Sequence, residues 1–298
     1  MSLQQQRTAF VFAGGGSLGA IQVGMLKALA AREVRPDLLV GSSVGAINAA
    51  YYAADPTSQG VAGLEAIWTS LRREDVFHFS WVGGLKGVLG RRSHLFDADV
   101  FSDFIERHLP FTDFAEARVP LHIVASDFIS GEEVILSTGE VLPALLASAA
   151  IPAIFPPVAI GGRYLVDGGV ANHTPVTTAI ALGASRLVVL PTGFTCEPEM
   201  PPGAALIVAL HALNLVIARQ LLDDLQHHSG NAMICLVPPL CPQRTHPLDF
   251  QAAADLIDQG YQSTLDWLDR GGLEQPTTSF SAAMLHRHLP APAAAKDA

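Results

Sequence analysis

An α/β three-layer sandwich, with a mainly parallel central sheet covered by helices on both faces, is the fold class the sequence predicts, and three observations predict it. Several short runs rich in Val, Ile and Leu lack polar alternation, as strands buried on both faces do. Helical patterns lie between most of these runs, which is the order of parallel crossover units. The chain has 298 residues with 49% hydrophobic and 15% charged side chains, enough to bury a sizeable core.

Each element follows in turn. TAFVF (8–12) is the first strand; it breaks into AGGGSLG, and an amphipathic helix is read over 17–32. DLLVG (37–41) is the second strand, and the alanine-rich stretch behind it gives a helix over 44–54. Helical patterns at 61–71 and 97–108 lead to the strand VPLHIVAS (119–126). GEEVILSTGE (131–140) follows closely enough to be its antiparallel hairpin partner at a sheet edge. A helix at 141–149, the strand RYLV (163–166), a helix at 175–182 and the strand SRLVVL (185–190) continue the alternation. A long helix at 203–228, the strand AMICLV (232–237) and a helix at 249–269 complete it. No internal repeat and no linker divides the chain, and the closing LPAPAAAKDA is Pro/Ala-rich and reads as disordered.

Composition excludes several classes. A formal charge of −10 and a pI near 5.5, with no long basic run, argue against a nucleic-acid partner. The pairs Arg72-Arg73 and Arg91-Arg92 read as solvated faces. Cys196, Cys235 and Cys241 are too few and too irregular for a disulfide framework or a zinc site. With no calcium loop and no His/Cys cluster at ligand spacing, neither a metal nor a cofactor is expected. The opening MSLQQQRTAFVFAGGG is a poor secretory signal, so the cytoplasm is expected. The apolar stretch 203–222 is interrupted by His211, Asn214 and Arg219, which favours a buried helix over a membrane span.

Three stretches carry chemistry. At the junction of the second strand and its helix stands Gly41-Ser42-Ser43-Val44-Gly45. In G-x-S-x-G the flanking glycines permit a sharp strand-to-helix turn that exposes the central hydroxyl at a helix N-terminus, where backbone N–H groups and the helix dipole suit a developing anion. Taken alone, the pentapeptide reads equally as a serine N-cap. The loop Gly14, Gly15, Gly16, with Gly19 beyond it, offers main-chain N–H groups for a phosphate or an oxyanion. It also matches a dinucleotide fingerprint, but the acids that fingerprint needs, Glu33 and Asp37, lie ahead of the second strand instead of at its end. A nucleotide P-loop lacks its Gly-Lys-Ser/Thr. Third, Asp167 leaves a short strand followed by Gly168 and Gly169, which would hold its carboxylate at the sheet edge with little steric cover; an ordinary Asp-Gly turn has the same appearance.

Together GGGSLG, GSSVG, DGG and the stretch SAAIPAIFPPV (148–158) resemble, in order and separation, the patatin-like phospholipase family. The resemblance implies a patatin-like catalytic domain over 8–240; the last fifty or so residues carry no motif of it, and a C-terminal helical part of the same domain over 241–275 and a disordered tail over 276–298 are expected there. It implies a serine acyl hydrolase with a Ser-Asp dyad, Ser43 as nucleophile and Asp167 as general base. Backbone amides of Gly14, Gly15, Gly16 and Ser17 are implied as the oxyanion hole, Gly41 and Gly45 as the elbow, and Gly168 and Gly169 as the DGG motif. Its partners would be a lipid or acyl-ester substrate and the surface of a membrane, touched peripherally; oligomeric state is left open. Where the family often carries Arg or Lys before the last loop glycine, this chain has Leu18, leaving the hole to main-chain donors. Ser17 reads as an N-cap of the following helix.

Two rivals remain open at this point: a Ser-Asp-His triad of the α/β-hydrolase order, using Asp127 with His173, His211, His227, His228 or His246, and a lipid-binding module without turnover. The segment 76–92, with Phe77, Phe79, Trp81, Val82, Leu85, Val88 and Leu89 beside Lys86, Arg91 and Arg92, is read as an acyl-binding flap or interfacial patch.

Overall fold

A computed structural model describes residues 6–77, 94–193, 205–228, 230–240, 245 and 249–277. In chain order the described elements are β1 (Thr8–Phe12), α1 (Gly19–Ala31), β2 (Leu38–Ser42), α2 (Val44–Ala54), α3 (Ser58–Ser70), α4 (Arg73–Val76), α5 (Asp99–His108), β3 (Leu121–Asp127) and β4 (Glu133–Leu136). They continue with α6 (Val141–Ser148), β5 (Val158–Ile160), β6 (Arg163–Asp167), α7 (Val176–Ala181), β7 (Arg186–Leu190), α8 (Ala205–His228), β8 (Met233–Leu236) and α9 (Ala253–Asp269). The predicted strands and helices are all present, with ends moved by a few residues. The short α4 and β5 are additions: four and three residues are too few to show a period in sequence.

Among the described residues eight strands form one sheet in the order β5-β6-β3-β2-β1-β7-β8, with β4 paired to β3 off that path. The pairs β1-β2, β1-β7, β2-β3 and β7-β8 are parallel. The pairs β3-β4, β3-β6 and β5-β6 are antiparallel, so the hairpin read at 131–140 is real.

Unbroken apolar strands exist because both faces are covered. On β1, Phe10 and Phe12 join one core with residues of α1, α2, α3 and α9, while Ala9 and Val11 join the opposite core with Val176 and Ala179 of α7 and Leu221 and Leu225 of α8. Each fully buried large side chain in these layers contributes about 1.5–3 kcal/mol.

Helix α1 is not amphipathic, contrary to its expected character: from Gly19 to Leu29 all but one residue, Lys27, is buried. It is a middle-layer helix, with the sheet on one side and α9 on the other. The two helices approach so closely that a Cβ on Gly24 would stand 2.1 Å from the Ile257 carbonyl oxygen, and one on Gly260 would stand 2.6 Å from that of Ile21.

Registry on β3 places the key strand ends. Ile123 and Val124 pair with both β2 and β4, and Ala125 and Ser126 pair with both β4 and β6. It follows that β4 occupies one edge of β3 while β2 and β6 share the other, running toward each other. Their last residues meet there: Ser42 opposite Val124 and Asp167 opposite Ala125.

Candidate active site

That head-on meeting brings Ser43 and Asp167, 124 residues apart, into contact: Ser43 Oγ donates to Asp167 Oδ2 at 2.6 Å. Ser43 holds the N-cap position of α2, yet its side chain makes no cap bond. The hydroxyl is thereby withdrawn from the role that an N-cap reading of the sequence gave it.

The sharp turn falls on the serine itself. Ser43 has φ 55° and ψ −130°, a conformation that costs a non-glycine residue of order 1–3 kcal/mol and recurs at functional sites. Gly41 and Gly45 both lack positive φ, so their role differs from the expected backbone freedom: they supply space. A Cβ on Gly45 would stand 2.5 Å from the Ala13 carbonyl oxygen, and one on Gly41 would stand 2.7 Å from the Ala46 backbone.

Two serines brace the pair. Ser148 Oγ accepts the Ser43 N–H at 2.8 Å and donates to the Val124 carbonyl at 2.6 Å. Ser126 Oγ donates to the Asp167 carbonyl at 2.8 Å and accepts from the Ala171 N–H at 3.0 Å. Ser148 opens SAAIPAIFPPV, so the stretch was visible, but its contact with the elbow depends on packing alone. Ser148→Ala is expected to leave the Ser43 amide and the Val124 carbonyl without these partners, at a cost of about 1–3 kcal/mol each. Turnover should fall about tenfold with the substrate KM little changed; steady-state kinetics beside a melting curve checks this.

Asp167 is 7% exposed, which reverses the expectation of little steric cover. Burial pushes its pKa up from 3.8 to about 6, against the opposing hydrogen bonds from Ser43 and from the Gly169 N–H. Gly169 N donates to Oδ1 at 2.7 Å, leaving Oδ2 for the serine. Gly168 is fixed by crowding: a Cβ there would lie 2.2 Å from the Val124 carbonyl oxygen.

The glycine loop closes one side. Gly14 N donates to the His173 carbonyl at 3.1 Å, so this amide is spent and does not serve an oxyanion as expected. The Gly14 carbonyl accepts from Thr192 Oγ1. Because a trans peptide sets its C=O and N–H on opposite sides, that bond turns the Gly15 N–H away from Thr192. The amides of Gly15 and Gly16 have no acceptor among the described residues. Ser17 is buried within a 3-10 turn, Gly16–Leu18, and the N-cap of α1 is Leu18, so the capping role expected of Ser17 is not the one it has.

Under the loop runs a polar network that sequence reading missed, since Gln22 and Asn48 lie among apolar neighbours without a motif. Gln22 Nε2 donates to the Ala13 and Leu190 carbonyls at 2.8 and 2.9 Å. Asn48 Nδ2 donates to Gln22 Oε1 at 2.8 Å, and Trp68 Nε1 to Asn48 Oδ1 at 2.9 Å. The ends of β1 and β7 are thus tied to three helices, fixing the loop's base.

The histidines are placed differently from a triad. His173 lies beside the loop: its Cε1 and the Ser43 Cβ would stand 2.8 and 3.1 Å from a Cβ built on Gly14. Burial pushes its pKa down to about 4, with the Gly14 backbone acting the other way, so the ring is neutral near pH 7. Asp127 accepts from the amides of Ile129 and Ser130 at 2.9 and 3.1 Å, which hold its carboxyl below the usual range; it is a turn acid. His227 Nδ1 faces the Asp223 carbonyl and His228 Nδ1 faces Asn231. The side chains of His211 and His246 lie outside the described residues.

A cavity with about 800 Å³ of space, part of it open to solvent, adjoins Ser43. Val44, Ile47 and Tyr51 line it at helical spacing along α2, opposite Trp68, Phe101, Phe104 and Phe155. Of the segment 76–92, Val76 and Phe77 are described and line this cavity, with Phe77 stacked on Phe155 at 5.8 Å. The remainder, including Phe79, Trp81 and Lys86, lies outside the described residues, as do Cys196 and Cys241. Among the described residues no group of three His, Cys, Asp or Glu is placed to hold a metal, and no helix is long and apolar enough to cross a membrane.

The model of the family described as patatin-like phospholipase matches residues 10–180. A patatin-like phospholipase domain-containing protein of Caenorhabditis elegans is 25% identical over 187 residues, covering 62% of this chain and 17% of that protein. An NTE family protein of Mycobacterium tuberculosis is 30% identical over 208 residues, covering 65% of this chain and 33% of its own. The chain therefore matches a third or less of the length of these relatives. Among solved structures, VipD from Legionella pneumophila aligns with a TM-score of 0.47 at 14% identity, over 89% of this chain and 67% of its own. Human GIVD cytosolic phospholipase A2, in complex with methyl gamma-linolenyl fluorophosphonate, aligns at 0.47 and 11% identity, over 90% and 59%.

Proposed function

The chain belongs to the patatin-like phospholipase family, and from that premise we propose that it is a serine acyl hydrolase of lipid esters, with Ser43 as nucleophile and Asp167 as its general base. The observation that carries this reading is the direct hydrogen bond from Ser43 Oγ to Asp167 Oδ2, with no histidine between them.

The geometry supports the following steps. Ser43 Oγ attacks the ester carbonyl carbon while its proton passes to Asp167 Oδ2. A carboxylate with a pKa near 6 is a better base for this transfer than an ordinary one near 3.8, because burial has raised its affinity for the proton. The carbonyl oxygen becomes an oxyanion facing the amides of Gly15 and Gly16 and the positive end of α2. Collapse breaks the bond to the alcohol oxygen, which takes the proton back from Asp167 and leaves an acyl-Ser43. Water then attacks with Asp167 again as base, releasing the fatty acid and free Ser43.

The acyl chain lies in the apolar cavity beside Val44 and Ile47. With Leu18 in the loop, head-group charge has no loop cation to meet, so recognition rests on the chain and the ester. Neither a metal nor a cofactor enters any step.

Intact-mass labelling with a fluorophosphonate tests the reading. One adduct on the wild type and none on Ser43→Ala is the expected outcome, followed by hydrolysis of a soluble short-chain ester that the same substitution abolishes. Labelling that survives Ser43→Ala moves the nucleophile elsewhere; a folded wild type that neither labels nor hydrolyses is a lipid-binding module without turnover.

A further inference from the structure

Beyond Asp127 the chain makes a tight turn into β4 that carries two bare apolar side chains at its tip, Phe128 and Ile129, 57% and 80% exposed. Tyr164, 59% exposed, stands beside them at the start of β6, where its carbonyl accepts the Phe128 N–H at 2.8 Å. The tip lies at the same end of the sheet as the nucleophile. β2 ends at Ser42 opposite Val124, whereas β3 runs on to Asp127, so the tip projects about 10 Å past the end of β2 at ~3.3 Å per residue. From Tyr164, β6 descends directly to Asp167. One short strand therefore joins the tip to the general base.

The turn satisfies its own amides. Asp127 N donates to the Glu132 carbonyl at 2.9 Å and Gly131 N to the Asp127 carbonyl at 2.8 Å. Ile129 N and Ser130 N both donate to Asp127 Oδ1, and Glu132 N donates to Ser130 Oγ at 3.2 Å. With the Phe128 amide, every N–H from 127 to 132 has a protein acceptor. A segment entering hydrocarbon must leave no backbone donor unsatisfied, and this one meets that demand before it leaves water.

We infer that Phe128 and Ile129, with Tyr164 behind them, are the contact by which this protein seats its active-site edge on a lipid surface. The inference rests on the acyl-hydrolase reading for the nature of its partner. A two-residue convex tip is far below the roughly 800 Å² per partner of a stable protein interface, while shallow insertion of a Phe-Ile pair with a Tyr at head-group depth suits a bilayer. Charge selects the bilayer. Arg163 lies 3.8 Å from Asp127, and the exposed Glu132 follows, in a chain of net charge −10. The surface fits zwitterionic lipid, and anionic lipid should not strengthen it.

Co-sedimentation with phosphatidylcholine vesicles is the test, using the wild type and Phe128→Ser/Ile129→Ser. The wild type should pellet and the double variant should lose about 10- to 100-fold in partitioning. Hydrolysis of a soluble short-chain ester should stay within about twofold, since both side chains point away from the core. In Phe128→Trp the added indole should move the emission further to the blue on adding vesicles than in the wild type, whose three native tryptophans give the baseline. A wild type that stays in the supernatant, a double variant that pellets equally, or an added indole that brings no further blue shift overturns the inference. Vesicle binding by a wild type that hydrolyses no ester defeats the proposed function and leaves the docking surface standing.

Discussion

Asp167→Asn is expected to lower kcat by about 10²- to 10⁴-fold, the usual worth of a positioned general base, and at the same time to make the protein more stable. Both effects come from one buried carboxylate. Its folded pKa, about 6, lies above its ordinary value of 3.8 because burial penalises the charge. The unfolded chain therefore binds fewer protons than the folded one across that window, so stability falls as pH rises from about 4 through 6. Above it, keeping the charge buried costs roughly 3 kcal/mol, at about 1.4 kcal/mol per pH unit between the two values. The asparagine variant escapes this cost. Near pH 8 it should melt about 5 °C higher than the wild type, and the gap should close toward pH 4. The wild type's kcat/KM should rise with pH on an acidic limb centred near 6, since Asp167 accepts a proton only when ionised. Equal melting temperatures at both pH values would show that Asp167 is not held in a penalising environment.

The second large effect belongs to the loop. Gly15→Ala is expected to cost about 10²- to 10³-fold in kcat/KM, the worth of an oxyanion donor. Gly15 has φ 147°, and its Cβ would stand 2.2 Å from Thr192 Oγ1 and 2.6 Å from Thr192 Cβ. The loop must shift, and the Thr192 hydroxyl that turns the Gly14–Gly15 peptide loses its seat. Gly139→Ala is the control for backbone strain alone, with φ 80° and nothing within 4 Å of the added carbon. It should cost about 1 kcal/mol of stability and leave turnover unchanged. If both variants lose stability alike and neither loses activity, the loop is structural only.

Much of this was legible in the sequence. Thr8–Phe12, Leu38–Ser42 and Arg186–Leu190 read as doubly buried strands because nothing polar interrupts them, and their faces do enter two separate cores. Ser43 and Asp167 were each named by a short motif. Other features had no local signature. Gln22 and Asn48 join the ends of β1 and β7 only because three helices converge there. Ser148 reaches the Ser43 amide from 105 residues away.

The sequence by itself determined the elements, the apolar layers and the residue types of the proposed site, because strand burial, helix period and turn formation are decided by neighbours a few positions apart. Only the tertiary structure decided that β2 and β6 end head-on along one edge of β3, which puts Ser43 Oγ 2.6 Å from Asp167. It also decided that Gly14 spends its amide on His173, and that Asp167 is buried deeply enough to titrate near 6. Those outcomes depend on hydrogen-bond register and desolvation, both set by the packing of segments more than a hundred residues apart.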